Sequence, residues 1–383
     1  MLKNRKILYY LQNDWFLISH RLPVLKEAKK NGYSIHIACK ISTHLEYFKN
    51  EGYHVHPLRF LGAKRINPLQ ELFTFLEILF LLIRIRPDIL HNISIRPVLW
   101  GSLAARISNV RYCVNAITGV GFVFMSTGKK ALFIQRIVSS VLEFGMSKKG
   151  SHHIFQNNDD ISLFKKYRII DESSPISLLH GSGVDLTKLY SSSEKNKPVE
   201  VLFGARLLTD KGIRELVKAA VVLNQRKARF KLIIAGAPDF GNPTAIRPEE
   251  VESWNKYPFI DVLGYREDMV QLLSKASIAC LPSYREGLPK FLAEAAAAGL
   301  PIITTDTPGC REVVIEGENG LLVPVKSFRE LAEKLEKLIK SPSLRQKMGS
   351  RSRKLAEELF DINKIVENHL SIYQTLVEEQ FLE

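Results

Sequence analysis

The chain is poor in the residues that staple or metallate small folds. Its 383 residues hold only four cysteines, Cys39, Cys113, Cys280 and Cys310. They lie far apart and share no CxxC spacing. A disulfide framework and a cysteine-rich metal site are therefore excluded, and buried thiols in a reducing compartment are expected. No D-x-D occurs, and the nearest acidic pair is Asp159-Asp160. Long apolar runs are missing too. The longest, residues 72–85, has 14 positions and includes Glu77 and Arg84, so it is too short and too charged to span a bilayer. The opening MLKNRKILYYLQND has basic residues but no apolar run long enough for a secretory signal. A cytoplasmic protein is expected. Repeats and low-complexity tracts are absent, and no G-x-G-x-x-G fingerprint is complete.

Acidic residues are scarce in one half only. Residues 1–195 carry 27 Lys/Arg against 14 Asp/Glu, an excess of 13, while residues 196–383 carry 27 against 26. A basic half implies an anionic partner: nucleic acid, anionic lipid headgroups or a phosphorylated substrate. Nucleic acid fits poorly, because no helix-turn-helix or RNA-recognition signature and no stripe of alternating basic and aromatic residues is present.

At 45% apolar and 25% charged, the chain can bury two full cores of ordinary domain size. Short apolar strands alternate with helical segments. Strands are expected over 7–11, 34–38, 89–92, 112–116 and 153–156, with helices over 23–31, 69–85 and 99–107 and from 159. The polar stretch 190–198 reads as a linker. Beyond it the alternation restarts. Strands are expected over 200–204, 230–235, 278–281 and 301–305, and helices over 212–224, 269–275, 289–298 and 328–339. This pattern predicts an α/β protein of two doubly wound parallel sheets in series. Ligands of such sheets bind at the carboxyl ends of the strands, so a cleft between the domains is the expected site.

The segment 283–294, SYREGLPKFLAE, carries most of the chemistry. A strand ends just before it, Pro289 suits a first helical position, and Gly299 stops the helix. Such a turn points backbone N–H groups outward. Gly287 and Leu288 would offer amides to an anion, the glycine permitting close approach. Glu286 in the loop and Glu294 in the helix are carboxylates suited to sugar hydroxyls. Standing alone, Glu294 is equally an acid placed well near a helix N-terminus.

Glu286-x7-Glu294, set in PSYREGLPKFLAEAAAAGLPIITTDTPGCREVV, resembles the signature of family-four retaining glycosyltransferases. The stretches 316–324 (EGENGLLVP) and 204–212 (GARLLTDKG) resemble the same family. The resemblance implies a GT-B fold, two Rossmann-like domains facing a central cleft. Residues 1–190 would bind the acceptor and 198–364 the nucleotide sugar, with a helix at about 365–383 packing back onto the first domain. Glu286 would touch the donor sugar, while Arg206 and Lys211 would join the Gly287 and Leu288 amides on the diphosphate. Glu294 would bind the ribose. Gly236, Gly264, Tyr265 and Arg266 would border the base.

The first half resembles a narrower branch, enzymes that extend undecaprenyl-diphosphate-linked sugars in bacterial surface polysaccharide synthesis. The residues are 14–23 (DWFLISHRLP), 86–91 (RPDILH) and 118–124 (TGVGFVF). Ser19, His20, Thr118, Gly119 and Gly121 would lie on the acceptor side. Members of the branch often carry a histidine in the strand before that turn. Here Asn115 stands in its place, on the acceptor side, and a neutral amide cannot take a proton at pH 7.

The resemblance implies a UDP-sugar donor, a lipid-linked acceptor and an α-linkage. With fixed cations and helix amides on the leaving group, neither a metal nor a cofactor is expected. Lys64, Arg65, Arg84, Arg86, Lys129 and Lys130 flank the most apolar segments. This suits peripheral association with an anionic inner membrane face. Residues 72–85 would lie at that interface or pack on the sheet. A nucleotide-sugar 2-epimerase of the same fold, and a non-catalytic nucleic-acid binder, are the alternatives.

Overall fold

The computed structural model describes residues 4–61, 67–121, 124, 128–189 and 198–378. Lys64 and Arg65, Phe122-Val123, the stretch 190–197 and the end of the expected C-terminal helix, 379–383, lie outside the described residues. The chain divides into two compact units. Residues 1–182 and 363–383 form the first, and 183–362 the second.

The first unit begins with β1 (Lys6–Asn13), α1 (Asp14–His20), α2 (Leu22–Lys30), β2 (Ser34–Lys40), α3 (Leu45–Asn50) and β3 (His54–Pro57). It continues through α4 (Pro68–Ile85), β4 (Ile89–Ile93), α5 (Ile95–Ile107) and β5 (Tyr112–Ile117). Then come α6 (Lys129–Met146), β6 (Ser151–Phe155), α7 (Asn158–Lys166) and β7 (Ile176–Leu178). The strands form one parallel sheet in the order β3-β2-β1-β4-β5-β6-β7. β4 and β5 are buried along their whole length, as strands covered on both faces must be.

Local chemistry sets the ends of these elements. Asn67 caps α4 by accepting from the Leu69 N–H at 3.0 Å, with Pro68 in the first turn. Asn157 caps α7 in the same way, accepting from the Asp160 N–H at 2.7 Å. α1 has a tertiary cause. The buried Asp14 carboxylate accepts from the Ser42, Thr43 and His44 N–H groups and the Ser42 hydroxyl. Burial pushes its pKa up, but these bonds win and hold it well below the usual carboxylate range.

The second unit contains β8 (Val199–Gly204), a 3₁₀ turn at Thr209–Lys211, α8 (Ile213–Gln225), β9 (Phe230–Ala235), α9 (Pro248–Trp254) and β10 (Ile260–Gly264). It goes on through α10 (Met269–Lys275), β11 (Ile278–Leu281), α11 (Lys290–Ala297), β12 (Ile302–Thr305), β13 (Gly320–Val323), α12 (Phe328–Lys340) and α13 (Pro342–Leu359). Its sheet runs β10-β9-β8-β11-β12-β13, again parallel. The last helix, α14 (Ile362–Glu378), sends Ile365, Tyr373 and Leu376 into a core of the first unit with Ile7, Tyr9 and Leu11.

Some boundaries differ from the sequence expectation. α11 starts at Lys290, because Pro289 has ψ 111° and serves as N-cap. The helix expected at 99–107 begins at Ile95. Residues 72–85 do pack on the sheet through Thr74, Ile78, Leu82 and Ile85, yet leave a second apolar face outside. Among the described residues no helix is long and apolar enough to cross a membrane.

Candidate functional site

Each sheet reverses its winding once. In the second unit the reversal lies between β8 and β11, where the loops after two adjacent strands open on the same edge. The loop after β8 ends at Gly212, whose φ is +69°. A Cβ there would stand 2.0 Å from the Pro282 carbonyl oxygen, so only glycine lets the two loops approach this closely. Across the gap the Tyr284 N–H donates to the Asp210 carbonyl at 2.8 Å, and the Ser283 hydroxyl to the same carbonyl at 3.2 Å. Lys211 is thereby brought onto Glu286. Its ammonium donates to Oε1, and both side chains are largely buried, 17% and 14% exposed.

The Glu286 loop is braced from behind. Its N–H donates to the Pro308 carbonyl at 3.2 Å, and the Thr305 hydroxyl donates to the Ser283 carbonyl. Gly309, at φ +75°, lies so close that a Cβ would meet the Glu286 and Gly287 carbonyl oxygens at 2.5 and 2.4 Å. Tyr284 donates to Glu215 at 3.0 Å. Gly309 and the Tyr284–Glu215 contact escaped the sequence reading, although TPGCREVV was in view.

The other expected residues fall along the same edge or near it. Leu288 packs against the core of the unit. Glu294 stands 3.4 Å from Lys290, one turn earlier on α11. Burial raises the Glu294 pKa, and Lys290 opposes that shift. Arg206 pairs with Asp239 at 2.7 Å and stays half exposed. Gly236 must be glycine, since a Cβ would lie 1.9 Å from the Ala205 carbonyl oxygen. Its N–H donates to the Gly264 carbonyl at 2.7 Å. Gly264 turns at φ +69°, Tyr265 projects into solvent at 75% exposure, and Arg266 makes a two-pronged pair with Asp268. Among the described residues no group of three or more His, Cys, Asp or Glu side chains is arranged to hold a metal.

In the first unit the reversal lies between β1 and β4. Ser19 and His20 end the helix that follows β1. The Ser19 hydroxyl meets His20 Nδ1 at 2.5 Å, and the His20 ring stacks on Phe16 at 4.2 Å. Thr118 to Gly121 follow β5, with φ +137° at Gly119 and +66° at Gly121.

Asn115 lies on β5, just ahead of that turn. It is fully buried inside the sheet, in register with Asn92 on one side and His153 on the other. Its carboxamide oxygen accepts from Asn92 at 2.8 Å, and its nitrogen lies 3.4 Å from His153 Nδ1. An amide used in this way ties strands together. Gly101 of α5 crosses directly over the ladder, where a Cβ would stand 1.9 Å from Asn92 Oδ1.

Comparison with known proteins matches two family models. Residues 187–355 match "Glycosyl transferases group 1", and residues 6–158 match "Glycosyl transferase 4-like". The chain is 27% identical to the N,N'-diacetylbacillosaminyl-diphospho-undecaprenol alpha-1,3-N-acetylgalactosaminyltransferase of Campylobacter jejuni, over 93% of this chain and 95% of that protein. It is 24% identical to the capsular polysaccharide biosynthesis glycosyltransferase CapM of Staphylococcus aureus, over 99% of both. The fold is shared with Anabaena HepE, solved in complex with UDP and glucose. That match has a TM-score of 0.75 at 17% identity and covers 97% of this chain and 100% of the other.

Proposed function

Because the chain belongs to the family-four glycosyltransferases of the GT-B fold, we propose that it moves a hexose or N-acetylhexosamine from a UDP-sugar to a lipid-diphosphate-linked sugar, with retention, forming an α-glycosidic bond. The observation that carries this reading is the Lys211–Glu286 pair at the strand reversal of the second unit. A cation and a carboxylate fixed at one address suit a donor that is a dianion at one end and a polyol at the other. A diphosphate brings more charge than one carboxylate. Lys211 then neutralises the diphosphate, and Glu286 accepts from the sugar hydroxyls.

Arg206 and the loop amides of Gly287 and Leu288 complete the diphosphate site ahead of α11. Glu294 takes the ribose hydroxyls, and Gly236, Gly264, Tyr265 and Arg266 border the base. With these fixed charges in place, transfer needs no divalent metal. In the first unit, Ser19, His20, Thr118, Gly119 and Gly121 face the acceptor. The lipid-linked acceptor is supported by the Campylobacter relative, whose name specifies an undecaprenol-diphosphate sugar. The UDP donor is supported by the fold shared with HepE. Such an acceptor places the enzyme at the inner face of the cytoplasmic membrane.

The test is incubation with a panel of UDP-sugars and undecaprenyl-diphosphate-linked acceptors in EDTA, followed by mass spectrometry. One UDP-sugar should give an acceptor heavier by one hexose or N-acetylhexosamine. Activity that vanishes on chelation and returns with manganese would overturn metal-free transfer. A sugar product formed without acceptor would overturn the transferase reading.

A further inference from the structure

α4 carries two apolar faces. Thr74, Ile78, Leu82 and Ile85 recur at helical spacing and point into the core. Leu69, Leu72, Leu76, Phe80 and Ile83 recur at the same spacing and point outward, each large and exposed. A helix that only covers a sheet has no use for the second stripe.

α6 repeats the arrangement. Its core side is Gln135, Ser139, Leu142 and Met146. Phe133, Ile137 and Phe144 lie outside, Phe133 at 63% exposure. The two helices share one layer, because α5 packs between them. Arg96 and Trp100 of α5 both bond Glu71 of α4. On its other side, Gly145 of α6 lies against Ser102, and Arg106 donates to the Phe144 carbonyl at 2.7 Å. The outward apolar surface therefore spans neighbouring helices of one face.

Its exposed charge is mostly positive. Both acids of α4 are committed inward, Glu71 to α5 and Glu77 to the Arg59 and Phe60 N–H groups. What remains exposed beside the apolar stripes is Arg84 and Arg86 at the end of α4, and Lys129, Lys130 and Arg136 on α6, against the single acid Glu143. A second copy packed on this face would bring like charges together. An anionic bilayer satisfies both features, since acyl chains accept the apolar side chains and headgroups accept the cations.

We propose that the outward face of α4 and α6 is the surface on which the enzyme docks to anionic lipid, with Phe80, Ile83, Phe133 and Ile137 entering the headgroup boundary. The inference rests on the reading that the acceptor is lipid-linked, and it assigns the surface that reaches it.

The test is co-sedimentation with phosphatidylcholine vesicles, with and without phosphatidylglycerol. Wild type should bind the anionic vesicles about tenfold or more tightly than the neutral ones. Replacing Phe80, Ile83, Phe133 and Ile137 together by Ser should abolish binding, and K129E with K130E and R136E should remove the lipid preference. Transfer to a short-chain, water-soluble acceptor should stay at wild-type level in both variants, which also reports that they fold. Equal sedimentation of wild type and the serine variant overturns the proposal. So does a solution dimer, seen by ultracentrifugation, that the serine variant dissociates while its vesicle binding is unchanged. Normal vesicle binding without turnover in any protein counts against the proposed reaction and leaves the docking surface standing.

Discussion

All ten histidines of the chain lie in the first unit and none in the second, although both sheets wind in the same strand order. The first unit ties its strands together with neutral polar groups. Asn92, Asn115 and His153 bridge strands, and His91 bonds Tyr373 at 2.6 Å beneath α14. The second unit instead brings charged side chains to the edge of its sheet, where Lys211 meets Glu286. The same topology supports two uses of polarity. One specifies which strands adjoin, and the other sets opposite charges at the strand reversal, where the proposed donor site lies.

The sharpest way to break this contrast is to remove the charged pair. Lys211→Ala and Glu286→Ala should each lower kcat/KM by about 10²–10³, the size of effect expected when one fixed electrostatic contact to the reacting groups is lost. Circular dichroism should show the fold retained. Full activity in both variants would remove the site assignment.

Asn115→Leu tests the other side. It breaks a buried amide ladder and should cost about 1–3 kcal/mol of stability in urea unfolding, with turnover per folded molecule unchanged. A large loss of turnover at normal stability would instead put Asn115 to work on the acceptor side. Gly309→Ala lies between the two cases. It forces a side chain into a left-handed turn against two carbonyls, so it should cost about 1–2 kcal/mol and also disturb the Glu286 loop, read as a raised KM for the donor.

Acid should separate the units. Burial lowers both the His153 and His369 pKa to about 3. An unfolded histidine titrates near 6.5, so below that value the unfolded chain takes up protons that the folded unit refuses. Stability is full above about pH 6.5 and falls by about 1.4 kcal/mol per pH unit for each such histidine as pH drops toward 3. Hydrogen exchange at about pH 7.5 and 5.5 should show amides of the first unit losing protection before those of the second. His153→Gln should lessen the difference. The smallest effect belongs to Arg266→Ala, whose exposed pair with Asp268 should leave the midpoint of urea unfolding unchanged.

Much of this was legible beforehand. The spans 230–235, 269–275 and 278–281 coincide with β9, α10 and β11, because short apolar runs between polar turns leave few alternatives. α6 went unassigned, since KKALFIQRIVSSVLEFGM is apolar on both its buried and its exposed sides and shows no clean stripe. α1 depends on amides 28 to 30 residues away, which no local pattern carries. Glu286 and Lys211 were both identified, but their pairing spans 75 positions and needs β8 beside β11. Asn115 was picked out because it stands where the resembling branch carries a histidine, and its pairing with Asn92 and His153 needed the register of β4, β5 and β6.

α14 sets an order of events during synthesis. The Tyr9 and His91 edges are closed by Tyr373 and His369, so the first unit cannot finish its interior until the ribosome has made the whole of the second. The early strands wait some 180 residues for their last partner, at a few to about twenty residues each second. During that interval the first sheet lacks the cover that Ile365, Tyr373 and Leu376 give it, while the second unit already has all its own strands.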